Sequence, residues 1–144
     1  MRPYRFSMER ILEWREGVEK DFTDRLARKK HQINIKNMEL EELLKEYDTA
    51  KKNTRTFKNA QDLANSQMYR QRLSDLIKEE RGCLTQLEDE LEATRKELVQ
   101  ARKDKMAMEK LKEKDIEKYN DKLKQEEQEF LDEIASTRYS RKDD

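Results

Sequence analysis

The sequence predicts an all-α fold: a long antiparallel two-helix coiled-coil hairpin with an overhanging C-terminal helix end. Three observations carry this. First, of 144 residues 46% are charged and 33% hydrophobic, with two glycines and one proline. That is the composition of coiled coils, and the β-branched and aromatic runs that strands need are missing. Second, apolar residues recur in steps of three and four, the spacing of one helix face. Third, the apolar residues form a mirror about residue 58. Tyr47 faces Tyr69, Leu43 faces Leu73, Leu40 faces Leu76, Ile33 faces Cys83, Val18 faces Leu98 and Met8 faces Met108. A chain that folds back on itself needs such a mirror, and the regular spacing argues against disorder, the other reading of so charged a chain.

The chain reads as one coiled-coil domain over residues 1–144, with helix 1 at about 7–54, a turn at about 55–62 and helix 2 at about 63–138. Ser7 is the expected N-cap of helix 1. Arg10 stands where a capping box would place Glu or Gln. The seam then runs Met8, Ile11, Arg15, Val18, Phe22, Leu26, Lys29, Ile33, Lys36, Leu40, Leu43, Tyr47 and Ala50. Two successive steps of four, at Val18, Phe22 and Leu26, read as a stutter.

Between Lys51 and Ser66 the apolar period fails. Asn53, Thr54, Thr56, Asn59, Asp62, Asn65 and Ser66 crowd this stretch, and such side chains compete for backbone hydrogen bonds and favour turns and caps. The seam of helix 2 is expected at Tyr69, Leu73, Leu76, Glu80, Cys83, Leu87, Leu91, Thr94, Leu98, Ala101, Lys105 and Met108. Past a second slip the stripe resumes at Ile116, Tyr119, Leu123, Phe130 and Ile134. Under the mirror Tyr4 meets Lys112, so residues from about Glu113 onward overhang. Lys36 opposite Glu80 is a charged layer expected to fix register, a role attested for polar core residues.

Charge excludes several function classes. Lys plus Arg and Asp plus Glu number 33 each. A balanced, interleaved surface lacks the basic face that nucleic acid requires, and no nucleic-acid partner is expected. Nor is a polybasic membrane anchor, or direct insertion in a bilayer, since no stretch is apolar enough to span one. Met1–Trp14 carries Arg2, Arg5, Glu9, Arg10 and Glu13, so no secretory leader is expected and the cytoplasm is the expected compartment.

Catalysis is not expected either. His31 and Cys83 fall short of the four ligands of a structural zinc site. Cys83 on the seam reads as a small buried thiol. The carboxylates share one exposed environment, whereas paired catalytic acids need environments that push their pKa values apart. No glycine-rich phosphate loop occurs. No cofactor and no metal follow from the residues.

The opening Tyr4-Arg5-Phe6-Ser7-Met8-Glu9-Arg10-Ile11-Leu12 resembles the start of the flagellar export protein family FliJ. The middle segment Met68-Tyr69-Arg70 through Leu73, Leu76 and Ile77 is similar as well. So is the closing Lys110-Leu111-Lys112-Glu113-Lys114 through Tyr119, then Glu129-Phe130-Leu131-Asp132-Glu133-Ile134-Ala135. The resemblance implies a cytoplasmic part of the flagellar type III export apparatus, peripheral at the cytoplasmic face of the membrane. It implies binding to the hexameric export ATPase FliI as a rod like the central stalk of rotary ATP synthases. It implies contact with the export-gate protein FlhA and with flagellar export chaperones. Positions matching the family's gate-binding surface are Leu44, Tyr47, Tyr69, Leu73 and Leu76. The overhang, with Phe130, Leu131 and Ile134, is the expected contact to the ATPase ring. The alternative is a structural tether or homodimeric scaffold with no export role.

Overall fold

The computed structural model describes residues 2–53 and 57–142. They form two helices, α1 at Glu9–Lys52 and α2 at Ala60–Lys142, and no strand occurs among the described residues. The two helices pack against each other as a helical hairpin. Residues 54–56, the expected end of helix 1 and the first two residues of the expected turn, lie outside the described residues.

Local chemistry sets both helix starts. Glu9 N–H donates to Phe6 O at 3.2 Å, and Leu12 N–H donates to Met8 O at 3.0 Å. The carbonyl that accepts the first helical bond is therefore that of Met8, one residue beyond the Ser7 expected as the cap. Asn59 caps α2: its side-chain oxygen accepts from Asp62 N–H at 2.8 Å, and its carbonyl from Leu63 N–H at 3.3 Å. Asn is among the strongest N-caps, and Asp62 in the first turn complements the helix dipole. Gly17 and Gly82 lie inside the helices with open space around them, so neither interrupts its helix.

Two rows of buried and half-buried positions define the seam; Glu9, Val18 and Leu44 on α1, and Ser74, Glu90, Asp104, Glu109, Ile116 and Leu123 on α2, are half-buried beside them. On α1 they recur at Leu12, Arg15, Glu19, Phe22, Leu26, Lys29, Ile33, Lys36, Leu40, Leu43, Tyr47 and Ala50. On α2 they recur at Ser66, Arg70, Leu73, Ile77, Glu80, Leu84, Leu87, Leu91, Thr94, Leu98, Ala101, Lys105, Met108, Lys112, Asp115 and Tyr119. Both rows alternate steps of three and four without interruption. That is a strict seven-residue repeat, which keeps one face of each helix toward its partner. At the two expected slips the repeat runs on through charged residues: Glu19 is half-buried beside Val18, and Lys112 and Asp115 carry the repeat past Met108 beside the half-buried Ile116.

This seam corrects the mirror. Seam positions of the two helices reflect onto each other when their numbers sum to 120, four residues from the expected register and centred on residue 60. Tyr47 then stands level with Leu73, and Leu43 with Ile77. Tyr69 and Leu76 are 50% and 39% exposed, and Cys83 is an exposed free thiol. The seam instead uses Arg70, Ile77 and Leu84, the next residue in each case. Met8 and Ile11 are likewise exposed, and Leu12, 4% exposed, holds the seam there. A slip of one residue turns a side chain by about 100°, enough to carry it off the seam.

The chain divides into two compact units. One comprises residues 20–99, including the α1 segment after Glu19 and the α2 segment before Gln100. Its seam is mostly apolar, with Leu73, Ile77, Leu84 and Leu98 buried. Each such side chain contributes roughly 1.5–3 kcal/mol of burial. The other comprises residues 1–19 and 100–144. Leu12, Phe6 and Ala101 are buried there, and much of the remaining seam is charged.

Candidate functional site

In the unit of residues 1–19 and 100–144, the charged seam is held by ion pairs between the helices. Arg15 and Lys105 stand level with each other, an arrangement that like charges disfavour. Each has a carboxylate of its own: Arg15 Nη1 lies 3.2 Å from Asp104 Oδ2, and Lys105 Nζ lies 2.5 Å from Glu19 Oε2. Arg102 adds a second cation at 3.5 Å from Glu19. Lys112 Nζ reaches Glu9 at 3.0 Å. The bond from Lys105, with Arg102 beside it, holds the Glu19 carboxyl below its ordinary value of 4.5. The same bond, donated to Glu19, lifts the Lys105 ammonium above 10.5.

The sign of the linkage follows. A carboxyl whose pKa is depressed on folding stabilises the fold above its unfolded value and loses that contribution as pH falls through the folded value. The Glu19 contribution is thus complete above about pH 5 and disappears on acidification below 4.5. Glu19→Gln is expected to flatten that part of the acid loss. Thermal melts of both proteins from neutral pH to pH 2 measure it, and parallel acid profiles would contradict it.

Ahead of α1, residues Arg2–Phe6 lie along α2. Tyr4 Oη donates to Asp115 Oδ2 at 3.0 Å, its ring sits 5.3 Å from that of Tyr119, and Tyr119 Oη donates to Arg2 O at 2.7 Å. Desolvation and the bond to Asp115 raise the Tyr4 hydroxyl above its ordinary value. These contacts border an open cleft of about 960 Å³ whose cations are Arg2, Arg5, Lys118 and Lys122. This segment therefore reaches Tyr119, beyond the Lys112 expected from the mirror. The sequence reading missed the cluster because a non-helical segment has no period to follow.

Among the described residues of α2 beyond Leu123 none is buried. Phe130 and Leu131 are 63% and 58% exposed, Tyr139 is exposed, and Ile134 is half-buried. The three residues expected to contact an ATPase ring thus share one uncovered helix end.

The unit of residues 20–99 holds the other candidates, and it separates them. Leu73 is 3% exposed, and Tyr47 is half-buried at the same level of the seam. Leu44 is half-buried beside it in sequence. Tyr69 and Leu76 are exposed and stand seven residues apart, so they share one outer strip of α2 with Cys83. Tyr47 and Tyr69 do not stack; the one ring pair among the described residues is Tyr4 with Tyr119. Lys36 donates to Glu80 at 3.3 Å and pairs with Glu39 at the same distance. The bonds to Glu80 and Glu39 raise the Lys36 ammonium above its ordinary value. This pair is not alone, since Lys29 also bonds Glu90 across the seam.

No group of three or more potential metal ligands occurs among the described residues, and no helix is long and apolar enough to cross a membrane. Tyr69 and Leu76 in one unit, and Phe130 and Leu131 in the other, are large apolar side chains left exposed on α2. A family model described as "Flagellar FliJ protein" matches residues 4–144. Neither a curated protein nor a solved structure matches the chain.

Proposed function

This chain belongs to the flagellar FliJ family, a structural component of the flagellar export apparatus, and on that premise we propose that it acts as the stalk-like rod of the export ATPase. The uncovered end of α2, with Phe130, Leu131 and Ile134, enters the ring of FliI subunits. In the unit of residues 20–99, Tyr69 and Leu76, which are exposed, together with Leu44, Tyr47 and Leu73, contact the export gate FlhA. Export chaperones bind the same rod, which works in the cytoplasm at the membrane face through these partners.

The observation that supports this most is the division of apolar surface. The seam buries Leu12, Leu73, Leu84 and Leu98, while the tail keeps Phe130 and Leu131 in solvent. Large apolar side chains held on a rigid helix suit a groove or ring that supplies the missing cover. A pull-down tests the reading. The purified chain is expected to retain both the export ATPase and the cytoplasmic domain of the gate. Tyr69→Ser with Leu76→Ser is expected to lose the gate and keep the ATPase. Retention of neither partner by the unsubstituted chain would overturn the reading.

A further inference from the structure

The uncovered end of α2 carries a stripe that maps onto itself. From Lys124 to Lys142 every residue is exposed except Ile134, which is half-buried. Around Ile134 one helix face holds Glu127, Phe130, Ile134, Arg138 and Arg141, in steps of three, four, four and three. Read backwards, the steps are the same. The charges are not: between Glu126 and Lys142 the acidic residues Glu126, Glu127, Glu129, Asp132 and Glu133 all precede Ile134, and the basic residues Arg138, Arg141 and Lys142 all follow it. Among the described residues, Glu127, Arg138 and Arg141 have no ion-pair partner within the chain.

We propose that a second copy of this chain covers this stripe, antiparallel to the first, with the two-fold axis at Ile134. Two-fold contacts are self-complementary, so each residue must find its reflected partner on the other copy. Here it does. Glu127 meets Arg141 and Arg141 meets Glu127. Phe130 meets Arg138, a guanidinium on an aromatic face. Ile134 meets Ile134. Glu126 stands level with Lys142 on the flank. A parallel arrangement would set Glu127 on Glu127, Arg138 on Arg138 and Arg141 on Arg141, with like charges in three of five layers. Charge pattern therefore selects both the occupant and its direction. With one aliphatic layer the interface is far smaller than that of a permanent dimer. It is weak, concentration-dependent and screened by salt. A dimer of this kind hides Phe130 and Ile134 and so excludes any other partner of the tail while it lasts. The inference uses the purified chain alone and stands apart from the export reading.

Cross-linking of the full-length chain tests it, in a Cys83→Ser background. Ile134→Cys places two thiols together at the axis. Phe130→Cys places them eight residues apart along the axis, about 12 Å, beyond the reach of a disulfide. Mild oxidation is expected to join chains through position 134 and not through position 130. Sedimentation from about 10 µM to about 1 mM, a span of two decades in concentration, is expected to show the unsubstituted chain passing from monomer toward dimer. Glu127→Arg, which sets Arg against Arg in two symmetric layers, is expected to weaken the dimer about threefold to tenfold. Adding Arg141→Glu is expected to restore it. Circular dichroism of each variant checks that helix content is unchanged. Equal cross-linking at both positions, a monomer over the whole range, or failure of the double reversal to restore association would overturn the proposal.

Discussion

Ile77→Ala is expected to destabilise the hairpin by about 2–5 kcal/mol, whereas Leu76→Ala, one residue away, is expected to change stability by less than about 0.5 kcal/mol. The two side chains have the same composition and sit on the same helix. Their environments differ: Ile77 is 7% exposed and Leu76 is 39% exposed. Removing Ile77 takes apolar area from the seam and opposes a hole to Leu43, which stands at its level. A two-helix seam is bordered by water, which enters the space left by the side chain, so the cost falls toward the lower part of that range. Leu76 gives up mainly contact with solvent, and alanine is the better helix former. Urea unfolding followed by circular dichroism measures both. Equal losses, or a larger loss at Leu76, would restore the mirror about residue 58 and refute the one about residue 60.

Alanine at Phe130, Leu131 and Ile134 together is expected to do the reverse. Stability is expected to stay within about 0.5 kcal/mol of the unsubstituted chain, because these side chains touch little of it. Stimulation of the export ATPase is expected to fall at least tenfold at a fixed concentration. Interface energy concentrates in a few large apolar and aromatic anchors, and truncating one commonly costs more than about 1 kcal/mol. Removing three from one helix end exceeds the 1.4 kcal/mol that corresponds to a factor of ten. Stimulation curves and melting curves of the same preparations separate the two effects. Full stimulation by the triple variant would remove the tail from the docking role.

Fold class, the two helices and the uncovered C-terminal end were all legible in the sequence, because a seven-residue repeat survives even where individual layers are polar. Register was not. Matching apolar residues with apolar residues draws Tyr69, Leu76 and Cys83 into the seam, since each precedes a seam position and is less polar than Arg70 at the first of these. The helix accepts Lys105 and Lys112 at seam positions because each ammonium reaches a carboxylate, of Glu19 and Glu9, while a lysine stem can lie along apolar surface. Glu19 shows the same point. Its place between Val18 and Phe22 is invisible to an apolar count, yet its bond to Lys105 completes the repeat. Periodicity alone, followed through charged residues, would have found the right register. The Tyr4, Asp115 and Tyr119 cluster lay outside that method, since residues far apart in the chain meet there without a shared period.

Photo-crosslinking tests the central claim most directly, namely that the two exposed apolar strips meet different members of the export apparatus. A photoreactive side chain is placed at Phe130 in one protein and at Tyr69 in another, both in the full-length chain mixed with export ATPase and gate domain. The account predicts an adduct with the ATPase from position 130 and with the gate from position 69. Adducts of position 69 with the ATPase and none from position 130 would contradict it.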